Sequence, residues 1–275
     1  MKQIGASVEE KSMTFLDHLE ELRWHIIRSF VAIVILTIVA FSAKSFVFDV
    51  LIFGPSRPDF WTFQMLCKLG ALINSDVLCI KDIPFLIQSR NMTGQFTMHL
   101  ISSFVLGFIV AFPYIFWEIW RFVGPGLYPT ERNVSRGAVF FVTLLFTIGV
   151  LFGYYVMSPL AINFLANYQV SASVVNEFDI TSYVSTVTTL VLGSGILFQL
   201  PMVVFFLSKV GIVTPKLMKT YRRHAIIVIL FLGAMLTPPD PLSQILVAMP
   251  LFGLYELSIL ISAAVERKRL KESKA

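Results

Sequence analysis

Six apolar runs, most of them about twenty residues long, are separated along this chain by polar connections, one of which is far longer than the rest. The runs cover about Trp24 to Ala43, Met98 to Ile119, Gly137 to Met157, Tyr183 to Ser208, Ala225 to Thr237 and Leu242 to Ala264. A helix rising ~1.5 Å per residue crosses ~30 Å of hydrocarbon in about 20 residues, so this pattern predicts six transmembrane helices. The fold class is therefore all-α and polytopic, with a single membrane domain over residues 24–264. The fifth run covers only about 20 Å as a helix before Pro238, Pro239, Asp240 and Pro241 break it. Either the bilayer thins there, or neighbouring helices hold the polar ends of the segment below the membrane surface, or the helix extends a turn further.

Before the first run, Phe15, Leu16, Leu19 and Leu22 recur at helical spacing, which predicts a short amphipathic helix lying along the membrane surface within residues 1–23. Its polar face carries Asp17, His18, Glu20, Glu21 and Arg23. By periodicity alone this is a solvated face with ion pairs three residues apart. The longest connection, residues 44–97, separates the first two spans.

Composition narrows the class. Hydrophobic residues make up 56% of the 275 and charged residues 14%, against roughly 25% charged in a soluble domain. A net charge of +5 and a pI near 9.2 would suggest nucleic acid if the basic residues formed one stripe, but they sit between the spans. Their distribution sets orientation, because cytoplasmic connections retain Lys and Arg. One side holds 16 of them and the other 5, with Arg28 inside the first span. Both termini are thereby expected in the cytoplasm, with residues 265–275 as a basic cytoplasmic tail. The first 23 residues carry more acids than bases and do not read as a secretory signal. Cys67 and Cys79, the only cysteines, fall in the long external connection. There they form either a disulfide, worth about 3 kcal/mol for so short a loop, or two free thiols.

No metalloprotease, nucleophile-elbow, phosphate-loop or dinucleotide motif occurs, and His18, His25, His99 and His224 stand in different segments. The reading is of a non-enzyme without metal or cofactor. Polar residues that do stand out gather near the cytoplasmic side. Trp117 to Arg132 runs from an aromatic belt through Gly124, Pro125, Gly126 and Pro129 to the pair Glu131 and Arg132. Gln199, two residues before Pro201, places an amide inside hydrocarbon, where it either joins helices or lines a groove. Glu256 is expected to pair with a nearby base.

Four segments together resemble the TatC family, the membrane subunit of the twin-arginine protein translocase. They are His18-Leu19-Glu20-Glu21-Leu22-Arg23, the stretch Phe122 to Arg132, Phe198-Gln199-Leu200-Pro201, and Leu236-Thr237-Pro238-Pro239-Asp240 with Ser243-Gln244. The resemblance covers residues 14–266 and matches in order, topology and span count, short last helices included. It implies a glove-shaped six-helix protein of the cytoplasmic (inner) membrane. Such a protein receives twin-arginine signal peptides of folded cargo, assembles with single-span TatA/TatB-type subunits in a multimeric complex, and draws on the proton gradient.

The family's two acidic positions fall at Glu21 and Glu131, beside Arg23 and Arg132. A carboxylate is the natural partner of a guanidinium, which it holds by paired hydrogen bonds. The resemblance assigns loop-shaping or contact roles to Phe122, Pro113, Pro125, Pro55 and Asp240. Many relatives carry glutamate where this chain has Gln199, which leaves only a neutral hydrogen-bonding group there. Asn133 stands where a further base is common, and the segment from Cys67 to Cys79 has no counterpart in the family pattern.

Two other classes compete. A proton-coupled small-solute transporter would use Glu118, Glu256 or Asp240 as carriers, and an intramembrane hydrolase would need a nucleophile facing a base. Composition alone does not separate the transporter from the translocase subunit, whereas the motif set favours the latter.

Overall fold

The computed structural model describes residues 15–72, 79, 85–123, 132–171, 173, 174, 176–236 and 241–272. The first helix, α1 (Phe15–Ser42), is followed by a π-helical segment Phe46–Ile52, a 3-10 turn Gly54–Ser56 and α2 (Trp61–Leu72). Next come β1 (Leu86–Gln88), α3 (Gly94–Val123) and α4 (Arg132–Phe152), which passes through a second π-helical segment, Gly153–Met157, into α5 (Ser158–Asn167). The remainder is β2 (Glu177–Asp179), α6 (Ile180–Leu197), α7 (Leu200–Val210), α8 (Pro215–Thr220), α9 (Arg222–Leu236) and α10 (Pro241–Glu272).

Among the described residues, five stretches are long and apolar enough to cross a membrane: Glu20–Ser42, Gly94–Phe122, Gly137–Asn167, Ile180–Val210 and Val247–Leu270. The sixth apolar run is α9, whose 15 residues extend only about 22 Å. The all-α, multi-pass architecture expected from the hydropathy pattern is present. Among the described residues α1 runs unbroken from Phe15, and it holds no Gly or Pro, so nothing stops its first turns from continuing into the apolar ones. At the other end α10 carries through the basic segment after residue 264 to Glu272. The long connection between the first two spans has structure of its own.

That connection is organised by three devices. Cys67 and Cys79 are joined in a disulfide, with Cα atoms 4.1 Å apart. Pro55 lies buried in the 3-10 turn beside Gly54, whose added Cβ would stand 2.9 Å from the Tyr154 hydroxyl oxygen. β1 pairs in parallel with β2, Leu86 opposite Glu177 and Gln88 opposite Asp179, and Arg90 Nη2 adds an ion pair to Glu177 Oε2 at 3.1 Å. Two connections assigned to one side by the charge count thus meet at one end of the bundle.

Asp179 ties the ladder to the next helix. Its Oδ1 accepts hydrogen bonds from the Thr181 hydroxyl and, at 2.8 Å, from Thr181 N, while Oδ2 accepts from Arg90 N at 2.9 Å. These bonds, that of the Thr181 hydroxyl first, hold its carboxyl below the usual aspartate range. A carboxyl whose folded pKa is depressed stabilises above its unfolded value and loses that contribution as pH falls through the folded one. Amide protection at Arg90 and Thr181 is therefore expected to be full at neutral pH and to decline below about pH 4. In Asp179→Asn that acid-dependent loss should disappear. Equal pH dependence in the two proteins would exclude Asp179 as its source.

In the bundle α1 lies along α3, α4 crosses α6, and α10 packs against both α7 and α9. Small residues permit the closest approaches, as is usual where lipid supplies no hydrophobic drive between helices. At the α1–α3 crossing, a Cβ on Gly107 would stand 2.7 Å from Thr37 N. At the α4–α6 crossing, the Ser194 hydroxyl donates to Gly149 O at 2.7 Å. One buried cluster, with Val47, Phe48, Met98 and Val184, lies at the ladder end, and another joins Trp120, Ala138, Val142 and Met202.

The fourth span is broken into α6 and α7 at Phe198 and Gln199. Pro201 enforces the break, because it lacks the N–H that a continuous helix would need there. Gln199 Nε2 donates to Val142 O on α4 at 3.0 Å. Of the two uses open to this amide, the structure shows the joining of helices.

Candidate functional site

Along α1, Glu21, Trp24, His25 and Arg28 follow one another at offsets of three, four and seven residues, so they form one stripe. That stripe faces the last turns of α3, and the two helices enclose an open cleft of about 420 Å³ lined by Glu21, Trp24, His25, Arg28 and Arg121. Below it lies a buried polar network. His25 Nδ1 donates to Glu118 Oε2 at 2.5 Å, and the Tyr114 hydroxyl donates to Glu118 Oε1 at 2.9 Å. His25 is 7% exposed and Glu118 is 1% exposed. Both carboxylate oxygens are engaged, which is the condition for keeping such a group out of water.

Aromatic rings border the cleft. The Phe122 ring lies 6.2 Å from that of His25, and the Arg121 guanidinium stacks 5.0 Å above the Trp117 ring. Trp24 is 56% exposed, as expected of an interfacial anchor. At the opposite end of the bundle a second, apolar hollow of about 240 Å³ lies between Val47, Leu106, Tyr154 and Val187. Among the described residues no cluster of His, Cys, Asp and Glu could hold a metal ion.

The residues singled out in the sequence distribute unevenly over this geometry. Glu21 is half-buried on the cleft wall and Phe122 stands near His25, whereas Arg23 is exposed and, like Phe122, outside the lining. Arg132 begins α4. Glu131, Pro125 and Asp240 lie outside the described residues. Pro113 is exposed within α3. The expected partner of Glu256 is Arg222, at 2.5 Å.

The network of His25, Tyr114 and Glu118 was not singled out as a site by motif. Glu118 was weighed only as a carrier for a transported proton. Two signals pointed to it nonetheless: an acid within an apolar run needs a polar partner, and Tyr114 stands one helical turn before it. With Glu118 held by His25 and Tyr114, and Glu256 by Arg222, two of the three acids the transporter reading relied on are already engaged.

Comparison with known proteins gives one consistent answer. Residues 17–250 match the family described as Sec-independent protein translocase protein (TatC). The TatC protein of Blattabacterium sp. subsp. Periplaneta americana is 39% identical over 263 residues, covering 95% of this chain and 99% of that one. That of Campylobacter jejuni is 35% identical over 244 residues, covering 89% and 91%. A crystal structure described as the twin-arginine translocase receptor TatC superposes with a TM-score of 0.66 at 29% identity, covering 90% of this chain and 99% of that one. A second, determined in the detergent DDM, gives 0.68 at 30% identity over 89% and 99%. The family match spans the cleft, the broken fourth span and the start of the last helix alike, and the chain belongs to the TatC family of Sec-independent protein translocase subunits, components of protein transport rather than enzymes.

Proposed function

We propose that this multi-pass membrane protein is the signal-peptide receptor of its translocase, binding paired arginines at the end of the bundle that holds Glu21. The observation that carries the reading is the position of Glu21 on the wall of an open cleft bordered by Trp24 and Phe122, at a side of the membrane rich in Lys and Arg. That side is the cytoplasm of a cell with an inner membrane, and both termini lie there, with α9 counted as the sixth span. Glu131 supplies the second carboxylate. Arg23 and Arg132 tune the field around the two acids. The apolar stretch of the signal peptide follows the concave face toward the hollow between Val47 and Tyr154.

Single-span TatA/TatB-type subunits are the expected helical partners. In support, α9 turns Ile227, Phe231 and Met235 outward, all more than 60% exposed. Cargo crosses already folded, driven by the proton gradient.

Binding of a labelled twin-arginine signal peptide to the purified protein in nanodiscs, beside a twin-lysine peptide, tests the receptor reading. The arginine peptide should bind more tightly, and Glu21→Ala or Glu131→Ala should each remove about 1.5–3 kcal/mol, as hydrogen bonds to charged groups do. Equal binding of the two peptides, with both variants unchanged, would place recognition elsewhere.

A further inference from the structure

Arg28 lies eight residues inside the apolar stretch that begins at Glu20, and its guanidinium is exposed. Its neighbours Ile27, Phe30 and Val31 are exposed as well, so Arg28 stands at the edge of the cleft among apolar side chains. A cation at that depth is costly unless an anion meets it. Among the described residues no carboxylate forms an ion pair with Arg28 or with Arg121, which shares the cleft. Glu118, hydrogen-bonded to His25 and Tyr114, acts on Arg121 through its charge but forms no ion pair with either guanidinium. Glu21 lies two helical turns from Arg28, about 10 Å along the axis. The two guanidiniums come from different helices, yet both line the same cleft.

A guanidinium without a directly paired carboxylate, near the end of a span, is matched by the phosphate of a lipid, which accepts its paired N–H donors. Trp24 and the Trp117 ring under Arg121 stand where such a headgroup would lie, as aromatic side chains do at the ester level of a bilayer. We infer that the cleft between α1 and α3 is a phosphate site, in which Arg28 and Arg121 together hold the phosphodiester of an anionic phospholipid while Glu21, two turns away on the same wall as Arg28, takes no part. This inference does not rest on the receptor reading, and its test contains no signal peptide.

The test titrates dioleoylphosphatidylglycerol into the full-length protein in detergent and counts bound lipid by native mass spectrometry, with dioleoylglycerol as the phosphate-free twin. The phospholipid should bind at least about tenfold more tightly than the twin, and Arg28→Gln with Arg121→Gln should remove that preference. Lys219→Gln, on α8, should leave it intact. Arg28→Lys with Arg121→Lys keeps the charge but not the paired donors, should fall between, and serves as the test if the glutamine variant does not elute as a single species. A parallel arm adds inorganic phosphate. Displacement of the lipid at millimolar phosphate would support the phosphate site with a soluble anion as its source, and failure to displace would support the lipid. Equal binding of the twin lipids, or an unchanged preference in both double variants, would overturn the inference.

Discussion

His25→Ala is expected to destabilise the folded protein by about 3–5 kcal/mol, the range for removing one member of a buried acid–base pair. The cost arises in what remains. Glu118, 1% exposed, would keep only the Tyr114 hydroxyl on one oxygen and face an empty imidazole site with the other. Glu118→Gln should be far milder, near 1 kcal/mol, because an amide oxygen can still accept from one neighbour. His25→Phe with Glu118→Met removes both polar partners at similar volume and should fall within about 1 kcal/mol of the parent. Unfolding in mixed micelles, followed by the fluorescence of nearby Trp117 and Trp120, measures all three. If His25→Ala matched the parent within about 0.5 kcal/mol, the carboxylate would have to be reached by water and the network would be no part of the helix joint.

The second large effect is expected at the α4–α6 crossing. A Cβ on Gly153 would stand 2.1 Å from Ser194 Oγ and 2.8 Å from both Leu190 O and Val191 Cα. The serine can rotate, but the two backbone atoms yield only if α6 moves away. Gly153→Ala should therefore cost about 3 kcal/mol, the upper end of overpacking. Gly253→Ala, the same change on α10 where a Cβ meets nothing within 4 Å, should instead stabilise by about 0.5–1 kcal/mol through helix propensity. Thermal unfolding of the two variants in one detergent decides the matter. Shifts of the same sign would show that propensity, not the crossing, governs both sites.

Much of the site could be read along the chain, because its signals are local. Glu21 was marked by its motif and by its place on the polar face of the first helical turns. Gln199 was marked by being polar within an apolar run beside Pro201. What such signals omit is the partner. Gln199 was open to two uses until its amide was seen donating to Val142 O, 57 residues away. The disulfide was likewise one of two outcomes for Cys67 and Cys79, settled by the folding of the connection that brings them together.

The division follows from range. Span length, the shortness of α9 and the asymmetry of basic residues depend on hydrophobicity and charge summed over neighbours in the chain, so they could be read without the fold. The amphipathic segment before the first span lay at the edge of that competence. Its residues from Phe15 on are helical, and whether that helix bent onto the membrane surface or ran on into the apolar turns depended on the absence of a breaker. The pairing of β1 with β2, and of His25 with Glu118 at a separation of 93 residues, was decided by the tertiary structure alone. His25 and Glu118 meet because α1 and α3 approach closely at Gly107 and Thr37, and the height of a crossing depends on every contact along both helices rather than on any stretch of one.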